Sequence, residues 1–146
     1  MPLLWKVSDA DSSLYLLGSF HMLQPGDYPL SKDVDAAFAD SGDVVFEIPP
    51  EEMSSPGLAA CMGQAALRGD GKPLDASLPP ATAKRLDAWV DANAAAMQQA
   101  GIPAQMLQLF EPWFVGLTVS IVEMSKQGLD PKLGLDLHFS ADAQAA

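Results

Sequence analysis

Two side chains set the chemistry this sequence can reach: His21, in the stretch LYLLGSFHMLQPGDYPL, and Glu47, in DVVFEIPP. The chain has only two histidines, and His21 lies where an apolar strand hands over to a loop. Gly18 and Ser19 precede it, and their small side chains let the chain turn off the strand and present an imidazole. Glu47 interrupts an apolar run of Val44, Val45, Phe46 and Ile48. A carboxylate inside a buried strand is costly unless it is paired or bound to a cation. An imidazole and a carboxylate are natural ligands for Zn²⁺, Mn²⁺ or Fe²⁺, and equally a general base and its orienting partner. The residues by themselves also suit a loop histidine with its hydrogen bonds satisfied, and a Glu47 paired with Lys6 or an arginine.

The elements that must position these groups can be read from periodicity. LLWKV and SLYLLG are strand-like runs separated by SDADS, whose Asp and Ser residues favour a turn, so residues 3–18 read as a hairpin. Ser31 suits the N-cap of a helix from Lys32 to Ser41, which Gly42 would stop. The run 44–48, closed by two prolines, reads as a buried strand. Strand 14–18, helix 32–41 and strand 44–48 would then form a β-α-β unit with parallel strands, whose carboxyl ends carry both His21 and Glu47 to one crevice.

Beyond residue 51 the pattern is mainly helical, with helices expected over 51–67, from Pro79 to Gln99, from Pro112 to about Gln127, and from Leu135 toward the end of the chain. The fold class expected is therefore α/β: an N-terminal hairpin plus a β-α-β unit of a mixed sheet, followed by a helical segment. Residues 1–146 are read as one domain, sheet-forming over 3–48 and helical over 51–146.

Other polar residues carry weaker signals. Asp136 and His138, in GLDLH, stand two apart and would share a face only on a strand, whereas their surroundings read as helix, so surface or structural roles are expected. Glu51 and Glu52 suit the first turn of a helix. Trp89, Trp113 and Phe114 read as core, and Cys61, among Leu58, Met62, Ala65 and Ala66, as a small buried hydrophobe.

Eight Lys and Arg stand against nineteen Asp and Glu, a net charge of −11, which repels phosphate backbones and argues against a nucleic-acid partner. The most apolar stretch, WFVGLTVSIVEM, is shorter than the roughly 20 residues that cross a bilayer, so no membrane span is expected. The start, MPLLWKV, goes directly into strand-like sequence with no basic region followed by an apolar run, so no signal peptide is expected within these residues, and an exported protein would have its signal outside them. Gly-rich phosphate loops, nucleophile elbows, HExxH and CxxC are absent.

LWKVSDADSSLYLLGSFHMLQPGDYPLS, followed by VVFEI and later by LFEPWFVGLTVSIVEMSKQGLDPKLGLDLHF, resembles the TraB/GumN family (TraB/PrgY/GumN), related to Tiki proteases. The resemblance implies a divalent-metal hydrolase, peptidase-like, on an α/β scaffold. Gly18, Ser19, Phe20 and His21 match the first of the family's paired GxxH motifs, Glu47 its glutamate, and Asp136 a recurrent acidic position of open role. On that ground His21 and Glu47 are the expected catalytic and metal-binding residues, and a Zn, Mn or Fe ion the expected cofactor. The same resemblance implies a periplasmic or secreted location and a peptide or small-molecule substrate.

No second GxxH follows Gly18. The chain therefore reads as the amino-terminal half of such a domain, incomplete or inactive alone and completed by the carboxy-terminal half or a homodimer partner. A non-catalytic module that binds or sequesters a peptide or small ligand in the same crevice is the alternative.

Overall fold

A computed structural model of the chain describes residues 3–53, 55–99 and 101–145. The backbone divides into two compact units, Met1–Ser54 with Gly128–Ala146, and Ser55–Gln127.

The first unit holds the sheet. β1 (Leu4–Ser8) and β2 (Ser13–Leu17) pair antiparallel, with Leu4 opposite Leu17 and Lys6 opposite Tyr15. The turn between them is closed by the Asp9 carboxylate, which accepts from the backbone N–H of Ser12 at 2.9 Å and from its hydroxyl at 2.8 Å. One face of the hairpin carries Leu4 and Leu17 toward a small core of Val34, Leu135 and Phe139. The other face presents Trp5, Val7, Leu14 and Leu16 to solvent.

α1 (Lys32–Ala39) starts at Ser31, whose hydroxyl caps the Val34 N–H, and buries Val34 and Ala37. α2 (Pro50–Met53) is one turn packed on α6 (Leu135–Ala145), and α6 buries Leu135 and Phe139, the latter stacked on Phe38 at 5.0 Å. The chain returns from the second unit through a short bridge between Leu23 and Asp130, which brings α6 beside the loop after β2.

The mixed α/β class holds, but the β-α-β unit does not form. The described strands are β1 and β2, paired only with each other, and residues 43–46 take no strand conformation. An apolar run becomes a strand only where a neighbour satisfies its backbone N–H and C=O groups. No described strand flanks this one. Phe46 is anchored against the core, whereas Val45 is 94 % exposed and Glu47 lies at the surface.

The second unit is helical, with α3 (Pro56–Ala66), α4 (Pro80–Gln99) and α5 (Pro112–Lys126) around Ala66, Leu74, Met97, Leu107, Phe110, Val115 and Val122. Leu74, Met97 and Leu107 are the largest fully buried side chains there, and burying each contributes roughly 1.5–3 kcal/mol. A polar clasp ties α4 to α5. Trp89 Nε1 donates to Glu123 at 2.7 Å, Lys126 donates to Glu123 and to Asn93 at 2.9 Å, and Asn93 donates to the Trp89 carbonyl at 2.7 Å.

The single helix expected over 51–67 is two, α2 and α3, because Pro56 begins a new helix capped by Ser55. Cys61 is exposed rather than buried. The sequence of α3, PGLAACMGQAA, is apolar or small almost all round and so does not single out a buried face; Ala66 is the residue that packs inward. Trp89 and Phe114 join the core as expected, while Trp113 is exposed. Among the described residues no helix is long and apolar enough to cross a membrane.

Candidate functional site

The site is built where the chain leaves β2. The Gly18 N–H closes the hairpin on the Leu3 carbonyl at 2.7 Å, and a Cβ at Gly18 would stand 2.9 Å from Leu3 Cβ, so only glycine lets Leu3 lie across this corner. Phe20 and His21 then run against the start of α6. The Phe20 carbonyl accepts from the Leu135 N–H at 2.9 Å, satisfying one of the donors that a helix leaves free at its first turn.

Gly134 is pressed on the same strip of backbone. A Cβ there would fall 2.5 Å from the His21 carbonyl oxygen, closer than any side chain tolerates. This contact sets the first turn of α6 directly beside the imidazole.

The consequence is a pair between residues 115 apart in sequence. His21 Nδ1 lies 2.8 Å from Asp136 Oδ2, and the Ser19 hydroxyl donates to the same oxygen at 2.6 Å. The Asp136 side chain is 12 % exposed and that of His21 67 %. A carboxylate facing Nδ1 selects the tautomer that carries its proton there, and so leaves Nε2 with its lone pair free. The start of α6 adds a second stabilising influence on the carboxylate, through the helix dipole.

This arrangement is not a serine triad. The Ser19 hydroxyl and the imidazole share one carboxylate oxygen, and the hydroxyl is spent on Asp136 instead of facing Nε2. The nucleophile such a pair can activate is water.

Glu47 is placed differently from its sequence expectation. It is an exposed residue on an irregular segment, so no buried charge demands compensation. Lys6, offered as its partner, instead donates to the Tyr15 hydroxyl at 2.6 Å and pairs with Asp40 at 3.4 Å. The Tyr15 hydroxyl donates to Asp40 at 2.6 Å; that bond first, and Lys6 second, hold the Asp40 carboxyl below its ordinary range.

Glu47 nevertheless lines the same open cleft as Ser19 and Asp136, a cavity of about 860 Å³ floored by Val34, Phe38, Leu135 and Phe139. Among the described residues no group of three His, Cys, Asp or Glu side chains is arranged to hold a metal ion. His21 and Asp136 form one imidazole backed by one carboxylate, the way a metal-bound histidine is commonly oriented, but they supply a single outward donor. The three or four protein ligands of a tight site are not assembled, so the described residues do not fit a resident metal by themselves.

The sequence presents Ser19 as a small turn residue, and Asp136 as a helix-surface or structural carboxylate whose position in the family resemblance has an open role. Gly134, two residues before an acid at a helix start, is the local signal that could have drawn attention to Asp136. His138 stays outside the pair, 3.6 Å from Asp142 one turn on and edge-on to Tyr28 at 5.1 Å between ring centres.

The description of the TraB/PrgY/gumN family matches residues 3–146. No curated protein and no solved structure matches the chain.

Proposed function

The chain belongs to the TraB/PrgY/gumN family, and on that footing we propose that it carries the water-activating part of a hydrolase, peptidase-like in its substrate. His21 is the base, taking a proton at Nε2 from a water molecule. Asp136 positions the ring and stabilises the imidazolium that forms, and Ser19 holds Asp136. The supporting observation is the 2.8 Å contact between His21 Nδ1 and Asp136 beside an open cleft.

Glu47, on the cleft wall, is the second catalytic candidate, as an acid toward the leaving group or as a carboxylate that orients water. In a metal-dependent form of this chemistry, His21 Nε2 and Glu47 would be the donors offered to Zn²⁺, Mn²⁺ or Fe²⁺. These two fall short of a full ligand set, so the proton transfer is assigned to the imidazole and its carboxylate. An exported location, periplasmic or secreted, is part of the same proposal and rests on family resemblance alone.

The test is hydrolysis of a mixed peptide library by the parent and by His21→Ala, each with and without a chelator. The proposal expects turnover that falls about 10²- to 10⁴-fold in His21→Ala, the usual contribution of a positioned base. A non-catalytic peptide-binding module is the second reading, favoured by the size of the cleft. Saturable binding with no turnover in any arm would establish that reading instead.

A further inference from the structure

The cleft has the form of a missing strand. Its wall takes Ser13, Leu14, Tyr15, Leu16 and Leu17 in unbroken succession. A strand that showed only a face to a cavity would contribute every second residue, so a wall of consecutive residues is an edge.

The hydrogen bonds of the hairpin settle which backbone groups lie on that edge. Gly18 N–H bonds to the Leu3 carbonyl at 2.7 Å and Asp9 N–H to the Ser12 carbonyl at 3.1 Å. With Leu4 opposite Leu17, the alternation of an antiparallel ladder turns the N–H and C=O of Leu14 and Leu16 toward β1. Those of Ser13, Tyr15 and Leu17 point away from β1, toward the cleft. The opposite wall is the irregular segment from Gly42 to Glu47, and the floor is apolar.

The charge is one-sided as well. Asp40, Asp43, Glu47 and Asp136 line the cleft, and among the described residues no lysine or arginine does. Asp40 is already held by Lys6 and Tyr15, and Asp136 by His21 and Ser19. Asp43 and Glu47 remain as exposed carboxylates on one wall.

The geometry points to a β-augmentation site: an extended peptide with alternate apolar side chains and a lysine or arginine enters the cleft as a strand beside β2. Its main chain bonds Ser13, Tyr15 and Leu17, its apolar side chains face Val34 and Phe38, and its basic side chain meets Asp43 and Glu47. Main-chain pairing supplies affinity in this mode, and the side chains supply selection. This deepens the hydrolase reading by naming its substrate class, since a strand so placed runs past Ser19 toward His21 and Asp136.

The experiment measures fluorescence anisotropy of a dye-labelled peptide of alternating valine and threonine with a lysine at each end. It is added to the His21→Ala chain, so that binding is read without turnover. Two further peptides carry N-methyl groups at the odd or at the even residues, each blocking one edge of the strand.

One methylated peptide should bind at least about tenfold more weakly than the parent peptide, because its β2-facing donors are gone. Asp43→Asn combined with Glu47→Gln should weaken the lysine peptide about fivefold at low salt and leave a lysine-free peptide unchanged. Equal binding of all three peptides would overturn the proposal. So would a dimer of the chain that the peptide does not reverse, since a second copy would then hold the edge. Peptide binding by His21→Ala without cleavage by the parent would remove the hydrolase reading and leave this one standing. Cleavage indifferent to N-methylation would do the reverse.

Discussion

Asp136 reaches His21 from the first turn of the last helix, Oδ2 to Nδ1 at 2.8 Å, and does so because Gly134 lets that helix start against the His21 backbone. The contact fixes the face of the ring turned to solvent. Nitrogen chemical shifts of His21 should report Nδ1 as the protonated nitrogen of the neutral ring in the parent. In Asp136→Ala the proton should move to Nε2, the usual preference of a free imidazole. The same tautomer in both proteins would show that Asp136 does not orient the ring.

Gly134→Ala should destabilise the chain by about 1–3 kcal/mol, the cost of forcing a methyl group where no space exists. The Cβ would meet the carbonyl oxygen and carbon of His21, which are backbone and cannot swing aside as a flexible side chain would. Denaturant midpoints of parent and variant measure it, and the His21 tautomer of the folded variant should shift toward that of Asp136→Ala.

Amide exchange should alternate along β2. Leu14 and Leu16, bonded to β1, should be protected, whereas Ser13, Tyr15 and Leu17 should exchange much faster, and Val44 to Phe46 faster still. Uniform protection from Ser13 to Leu17 would mean that the outer edge of β2 is already paired in solution.

Acid should loosen the first unit through Asp40. Its carboxyl is held below the ordinary value of 3.8 by the Tyr15 hydroxyl and by Lys6. A carboxylate with a lowered folded-state pKa stabilises the fold at pH above its unfolded value, and that contribution fades as pH falls through the folded value. As pH falls below the ordinary value of 3.8, Asp40→Asn should flatten the decline in stability seen in the parent. A parallel decline in the two proteins would remove Asp40 from the acid response.

Met97→Ala should cost about 2–5 kcal/mol, the range for emptying a fully buried methionine site. Because Met97 belongs to the core of the helical unit, the hairpin exchange pattern of the folded variant should be unchanged. Urea unfolding followed by tryptophan fluorescence checks the first expectation, and amide exchange the second.

What sequence could and could not reveal follows from the range of the forces involved. α4 and α5 are visible because Pro80 and Pro112 suit a first helical turn and because their apolar positions recur at helical spacing. The hairpin is visible because SDADS forms its own turn bonds. Residues 44–48 have the composition of a strand, but a strand is a property of two chain segments, and the described structure supplies only one of them there. His21 could be singled out from Gly18 and Ser19 alone. Its partner could not, since Asp136 is local to His21 only after the Leu23–Asp130 bridge and the Gly134 contact have brought the chain back. Spacing made Asp136 look like a neighbour of His138, whereas its first helical turn aims it at a residue 115 positions away.

The most direct measurement is peptide turnover by the parent, His21→Ala and Asp136→Ala at matched folded concentration, with kcat and KM resolved separately and a chelator arm for each. His21 as the base and Asp136 as its positioning residue require kcat to fall about 10²-fold or more in His21→Ala. The fall in Asp136→Ala should be smaller, with KM little changed in either variant. Turnover that survives His21→Ala would contradict the assignment. A kcat abolished by the chelator in the parent would move the water activation from the imidazole to a metal.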